Sequence, residues 1–252
     1  MIEAKNVTKR YGGSLVVDDV TLTLPVGGIT SIIGPNGAGK STLLSMISRV
    51  MPMSSGVVLV DGLDVRTTPG DVLARKLAIL RQDNHLTSRL TVRELVTFGR
   101  YPHSKGRPTV VDREHVERAI QHMGLEALSE RFLDELSGGQ RQRAFVAMVL
   151  CQDTDHVLLD EPLNGLDLKH SVAMMKQLRT AVDSLKKSIV MVLHDLNFAS
   201  CYSDHLIAMR DGKVAFQGRP QDIMRPDILR AVYDLDISIQ CIDGDWIATH
   251  YR

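Results

Sequence analysis

The sequence predicts an α/β fold built on a parallel sheet with crossover helices, and three observations predict it. The apolar run Ile29–Ile33 ends in the glycine-rich stretch GPNGAGKST, after which apolar residues recur at helical spacing through Lys40–Met51. Two further apolar, β-branched runs, HVLLDEP (His156–Pro162) and SIVMVLHD (Ser188–Asp195), are separated by the helical stretch Lys169–Leu185. Strands joined by a helix-length connection pair in parallel, because the chain must cross over the sheet to return in the same direction. Between about Leu86 and Gln152 the texture is helical, an insert within the α/β frame.

Taken in order, Val20, Leu22 and Leu24 alternate with Asp19, Thr21 and Thr23, the period of a half-buried strand, until Pro25-Val26-Gly27-Gly28 breaks it as a turn. The helix from Lys40 carries Leu43, Leu44, Ile47 and Val50 on one face, and GVVLVDG (Gly56–Gly62) reads as a strand closed by a turn. In the insert, Thr91-Val92-Arg93-Glu94 is a capping box. A helix from Asp112 then aligns Val116, Ala119, Ile120 and Met123 before Gly124 stops it. HLIAMRDGKVAFQG (His205–Gly218) is a hairpin turning at Asp211-Gly212. From Arg219 onward short helical and strand signals mix without a motif.

The chain has 252 residues, 44% of them hydrophobic, enough for a substantial core. Lys plus Arg equal Asp plus Glu at 30 each, so the near-zero net charge argues against a nucleic-acid surface. Cys151, Cys201 and Cys241 are too far apart for metal-ligand spacing and odd in number, which predicts reduced thiols in a cytosolic protein. The opening MIEAKNVTKRYGG lacks the apolar stretch of a secretory signal. Uninterrupted apolar runs fall far short of the roughly 20 residues that span a bilayer. A soluble chain is expected, with any membrane role supplied by a partner.

The nine residues Gly34, Pro35, Asn36, Gly37, Ala38, Gly39, Lys40, Ser41 and Thr42 satisfy G-x-x-x-x-G-K-[ST] in the strand, loop, helix context that the motif requires. Glycines let backbone N–H groups turn inward as an anion nest at a helix N-terminus, where the helix dipole adds about half a positive charge. Lys40 would reach the terminal phosphates and the Ser41 hydroxyl would ligate Mg²⁺. The strand Val157–Leu159 delivers Asp160 to the carboxyl end of the sheet, the ligand-binding edge of open α/β folds. Asp160 is placed to hold Mg²⁺ and Glu161 to polarise an attacking water as general base. In LSGGQRQRAF (Leu136–Phe145), Ser137 reads as an N-cap followed by two glycines, which cost about 1 kcal/mol each relative to alanine inside a helix. They suggest close approach by another group at a second anion-binding helix start.

LSGGQ at Leu136–Gln140, together with the phosphate loop and the acidic strand end, resembles the ATP-binding cassette family, and the likeness covers nearly the whole chain. The resemblance implies a P-loop NTPase (RecA-like) core with an N-terminal antiparallel β-subdomain and a helical signature subdomain. As one ATPase domain it would divide into a core at 1–85 and 153–225, a helical part at 86–152 and a tail at 226–252. It also implies a head-to-tail homodimer in which Ser137, Gly138, Gly139 and Gln140 of one subunit close over ATP held by the other. Tyr11 is similar to the aromatic that stacks on adenine, and Gln82 to the glutamine that senses Mg²⁺ and the attacking water. Asp167 in LNGLD resembles the intersubunit aspartate, and His194 the switch histidine that meets the γ-phosphate.

The resemblance further implies a transporter subunit, peripheral on the cytoplasmic face of the inner membrane. It would work with transmembrane permease subunits and, indirectly, a substrate-binding protein. Soluble relatives that act on nucleic acid or ribosomes generally carry two cassettes or a long insertion, and a P-loop kinase has no use for LSGGQ. The stretch following Gln82 lies where the family receives a permease helix. Its apolar members Leu86, Leu90, Val92, Leu95, Val96 and Phe98 equally suit the core of the insert. TVRELVTFGRYPH (Thr91–His103) and LDEPLNGLDLKHS (Leu159–Ser171) are similar to ATPases of bacterial ferric-siderophore importers of the petrobactin and catechol type, with heme, cobalamin and zinc importers as alternatives. Gly165 departs from the His or Asn common at that position.

Overall fold

The computed structural model describes residues 1–82, 84 and 88–249. Along the chain run β1 (Ile2–Tyr11), β2 (Ser14–Leu24), β3 (Gly28–Ile33), α1 (Lys40–Ile47), β4 (Ser55–Val60), β5 (Leu63–Asp64), α2 (Gly70–Leu73) and β6 (Leu77–Leu80). Next come α3 (Val92–Phe98), α4 (Tyr101–Ser104), α5 (Val110–His122), α6 (Gly138–Cys151), β7 (His156–Asp160), α7 (Leu168–Leu185) and β8 (Ser188–Val192). The last elements are α8 (Leu196–Tyr202), β9 (His205–Arg210), β10 (Lys213–Gly218), α9 (Pro220–Ile223), α10 (Pro226–Tyr233), β11 (Ser238–Ile242) and β12 (Asp245–Thr249). The chain divides into two compact units, Met1–Thr68 with the segment from Ser188 onward, and Pro69–Lys187.

In the first unit an antiparallel sheet runs β2-β1-β4-β5. Strand β1 escapes a reading by alternation, and its register explains why. Ile2 and Ala4 are buried on one parity, but the pairing slips between Ala4 and Val7, where Asn6 takes φ 51°, so Val7 is buried on the other. A bulge inverts the period-2 pattern in mid-strand. The expected parallel strands lie beside it in the order β10-β9-β3-β8, with β3 parallel to both β9 and β8 and β9 antiparallel to β10. Ile29, Ile32 and Ile33 are fully buried and every residue of β8 is buried, as befits strands covered on both faces. The β9–β10 turn takes positive φ at both Asp211 and Gly212, the conformation that an Asp-Gly hairpin supplies. Helix α1 stops at Ile47, a turn before the expected Met51. Arg49 at φ 60° breaks it and sends its guanidinium to the carbonyls of Val65 and Thr68 at 3.1 and 2.6 Å.

In the second unit β6 and β7 pair in parallel from Leu77 opposite His156 to Leu80 opposite Leu159. Helices α3 and α5 pack on α6, whose Ala144, Phe145, Val146 and Leu150 are buried. The Thr91 capping box forms, with Thr91 N–H donating to Glu94 at 2.8 Å and Glu94 N–H to the Thr91 hydroxyl at 3.2 Å. Helix α5 begins at Val110, ahead of the expected Asp112, because Thr109 caps it and Asp112 closes the box at the third position.

Asp112 also accepts from Arg100 Nε at 2.9 Å, while Arg100 Nη1 donates to the Cys151 carbonyl at 3.0 Å, and both side chains are buried. The Thr109 backbone N–H, then Arg100, hold the Asp112 carboxyl down at about 2. Its folded value lies below the ordinary 3.8, so its contribution is present above pH 4 and is lost as pH falls through about 2. Arg100→Ala leaves the buried Asp112 carboxylate without its cation, with Thr109 still bound to its other oxygen, and takes a donor from the Cys151 carbonyl; it should lower stability by about 3–5 kcal/mol, read as a drop in Tm of at least several degrees. A Tm within one degree or so of wild type would mean that this pair does not hold the helical insert together. Among the described residues no helix is long and apolar enough to cross a membrane.

Candidate functional site: a glycine-rich loop and an acidic strand end

The stretch Gly34–Thr42 leaves the carboxyl end of β3 and enters α1, and the contacts of its glycines show why they are needed. Gly34 sits at φ 144°, where a Cβ would meet the Met209 carbonyl oxygen of β9 at 2.1 Å. Gly39 sits at φ 92°, where a Cβ would meet the Val16 carbonyl oxygen at 2.6 Å. Val16 is itself pressed by Gly212 of the β9–β10 turn, and Gly212 accepts from Asp18 N–H at 2.9 Å. The loop is therefore seated on backbone at both ends, with no room for a side chain at Gly34 or Gly39.

Gly39 is the N-cap of α1 without any side-chain cap, and no acidic residue occupies the helix's first turn. A helix start presenting N–H groups, its dipole and no carboxylate suits an anion. Lys40 is buried among the loop, its ammonium donating to the carbonyls of Gly34 and Pro35 at 2.8 and 2.9 Å. Strand β8 runs beside β3 to the same edge, where Leu193 N–H donates to Ile32 O at 3.2 Å. The next residue, His194, is exposed, and Asp195 caps α8 behind it. The first unit thus brings the loop and His194 to one end of neighbouring strands.

In the second unit β7 and β6 deliver the other candidates side by side. Asp160 ends β7 and is buried, and Glu161 follows at φ 50°. Left-handed backbone at a glutamate before a proline costs of order 1–3 kcal/mol, a strain kept where the fold needs the side chain re-aimed. Gln82, just past β6, donates its Nε2 to Glu161 Oε2 at 2.8 Å. The parallel register of β6 and β7 is what brings these residues, 79 apart in sequence, together.

Ser137 caps α6 as expected, its hydroxyl accepting from Gln140 N–H at 3.3 Å while Gln140 Oε1 accepts from Ser137 N–H at 3.0 Å. Ser137 and Gly138 are exposed, with open space where a Gly138 Cβ would stand. A Cβ on Gly139 would touch His170 and Leu166, both at 3.4 Å. His170 is in turn bound by Asp167, whose carboxylate accepts from its backbone N–H at 2.8 Å and meets its Nδ1 at 2.7 Å. Those bonds, the backbone one first, lower the Asp167 pKa. Gly165, the departure from the siderophore spelling, takes φ 73°, a left-handed position that glycine occupies without strain.

The family profile described as ABC transporter matches residues 17–164, spanning the phosphate loop, LSGGQ and the acidic strand end. The chain is 48% identical over 251 residues to the petrobactin import ATP-binding protein YclP of Bacillus subtilis (strain 168), covering 100% of both chains. It is also 48% identical to the petrobactin import ATP-binding protein FatE of Bacillus anthracis, over 95% of this chain and 96% of that one. The chain belongs to the ABC transporter family. A dimeric ATP-binding cassette solved in a post-hydrolysis state with ADP and Pi superposes with a TM-score of 0.77 at 28% identity, covering 87% of this chain and 99% of that one.

In this ABC transporter chain the remaining sequence candidates fall into distinct settings. Tyr11 is half exposed at the end of β1, its hydroxyl on the Met51 sulfur and Lys9 Nζ 5.0 Å from its ring centroid. The apolar residues after Gln82 divide. Val92, Leu95 and Val96 are core, whereas Leu90 and the exposed Phe98 line a groove with Arg93, Thr97 and Tyr101; Leu86 lies outside the described residues. The Met209 and Val16 carbonyls that dictate the loop glycines were not legible in the sequence, because backbone atoms carry no residue signature.

Proposed function

We propose that this chain is the ATP-hydrolysing subunit that energises import of a ferric siderophore through separate permease subunits. The carrying observation is 48% identity, end to end, to a petrobactin import ATP-binding protein, together with a phosphate loop whose first and last glycines, Gly34 and Gly39, have no space for side chains. The chain acts as one ATPase domain, peripheral on the cytoplasmic face of the inner membrane. Its helical groove around Phe98 and Tyr101 receives a permease segment, and the substrate-binding protein engages only the permease.

Backbone amides of Gly34–Gly39 and the α1 start bind the phosphates, with Ser41 and Thr42 at the helix entry and Tyr11 against adenine. Lys40 and His194 meet the γ-phosphate. The start of α6, Ser137 to Gln140, with Ser137 and Gly138 exposed, closes over ATP held by a second copy of the chain, and Asp167 faces that copy. Ser41, Gln82 and Asp160 are hard oxygen donors of the kind Mg²⁺ takes. When bound, Mg²⁺ neutralises phosphate charge. Glu161 accepts a proton from the attacking water, and Gln82, already hydrogen-bonded to that carboxylate, fixes its direction.

The cargo is tested by uptake of radio-iron, presented as ferric petrobactin, in cells lacking this chain. Uptake should fall to the level without importer and return when the wild-type gene is restored. Undiminished ferric-siderophore uptake in the deletion strain, with loss of heme, cobalamin or zinc uptake in its place, would overturn the cargo and leave the ATPase assignment standing.

A further inference from the structure

The tail beyond β10 carries no sequence motif, yet its last hairpin is tied to the segment that carries His194. Strands β11 and β12 form a two-stranded antiparallel sheet, and β12 packs on α8. There Asn197 Nδ2 donates to the Ala248 carbonyl at 3.2 Å, while Asn197 Oδ1 accepts from Ala248 N–H at 2.7 Å. One side chain thereby satisfies both backbone groups of Ala248, a residue that is itself buried. An amide fits this pair because it offers one donor and one acceptor side by side.

Nothing local calls for an asparagine at this position. Asp195 already caps α8, its carboxylate accepting from the backbone N–H groups of Asn197 and Phe198 at 2.8 and 2.9 Å, and asparagine is a poor helix former. A helix of seven residues is too short to be stable by itself, so its aim is set by what it is tied to. His194 stands between two fixed points. On one side Leu193 N–H donates to Ile32 O of β3 at 3.2 Å, two residues before the phosphate loop begins. On the other, Asp195 holds the Asn197 backbone, Leu196 is buried, and the Asn197 side chain holds β12. The short link between these anchors carries the exposed His194.

We propose that Asn197 is a positioning residue: by fastening the start of α8 to β12 it sets where His194 stands, and with it the rate at which bound ATP is hydrolysed. The proposal rests on the reading of His194 as the residue that meets the γ-phosphate. The tail hairpin then serves the hydrolysis step, while ATP binding stays with Gly34–Thr42. A misplacement of about 1 Å at a reacting centre can cost up to about 10²-fold in rate.

Asn197→Leu tests this, since it keeps the branched shape of the side chain and removes both hydrogen bonds. Steady-state and single-turnover ATPase of the full-length protein are measured for Asn197→Leu, for His194→Ala and for the double variant, with Tm as the check on folding. In Asn197→Leu, kcat should fall about five- to tenfold while KM for ATP stays within about twofold. The double variant should be no slower than His194→Ala alone, because a residue that acts through the histidine has nothing left to act on. A kcat within about twofold of wild type in folded Asn197→Leu would overturn the proposal. So would losses that multiply in the double variant, the mark of a packing role independent of His194. Should Asn197→Leu fail to fold, Asn197→Ala replaces it in the same cycle under the same criteria. Wild-type turnover in His194→Ala would instead remove the histidine reading itself, an outcome distinct from a slow His194→Ala beside an unimpaired Asn197→Leu.

Discussion

Glu161→Gln leaves ATP binding intact, removes turnover and accumulates the protein as an ATP-bound dimer. The substitution keeps the shape of the side chain but replaces an oxygen of the carboxylate proposed to take the proton from the attacking water. Loss of a positioned general base costs about 10²–10⁴ in rate. The fold should tolerate the change. The strained backbone at φ 50° serves a glutamine as well as a glutamate, and the Gln82 amide can still hydrogen-bond to the remaining carbonyl oxygen. Steady-state phosphate release together with gel filtration in ATP and Mg²⁺ decides the matter. A variant that hydrolyses ATP at the wild-type rate would falsify the general-base assignment. A variant that binds no ATP would show that Glu161 serves nucleotide affinity instead.

Lys40→Ala acts one step earlier, on nucleotide affinity. The lysine stem is buried among the loop, and its ammonium bridges two loop carbonyls. Truncation removes the one flexible cation of the loop and leaves the Gly34 and Pro35 carbonyls without it. Truncating one partner of a buried charged contact costs about 2–5 kcal/mol, a loss of at least thirtyfold in ATP affinity. Lys40→Met separates charge from packing, because it restores much of the stem. Both variants should bind ATP weakly in a titration with a fluorescent analogue, with the methionine variant nearer wild type in Tm. Unchanged ATP affinity in Lys40→Met would remove the lysine from phosphate binding.

How far the sequence reads into the structure depends on the range of the forces involved. The α/β alternation, the parallel strands, the Asp211-Gly212 hairpin and the capping boxes at Thr91 and Ser137 are local. Each follows from side-chain period, turn geometry or a hydroxyl three residues from its amide. Strand β1 was not legible, because a bulge at Asn6 inverted its parity, and the end of α1 was set by Arg49 reaching carbonyls near Val65.

The sequence by itself singled out Gly34–Thr42 as the candidate polyphosphate loop and the acidic residues to examine, since both signals are short strings of residue types with one economical chemical use. Only the tertiary structure decided how these residues are held. The parallel register of β6 and β7 brings Gln82 to Glu161, and the Met209 carbonyl forbids a side chain at Gly34. Those contacts join residues tens to nearly two hundred positions apart through backbone atoms and strand register, which no local pattern of side chains records.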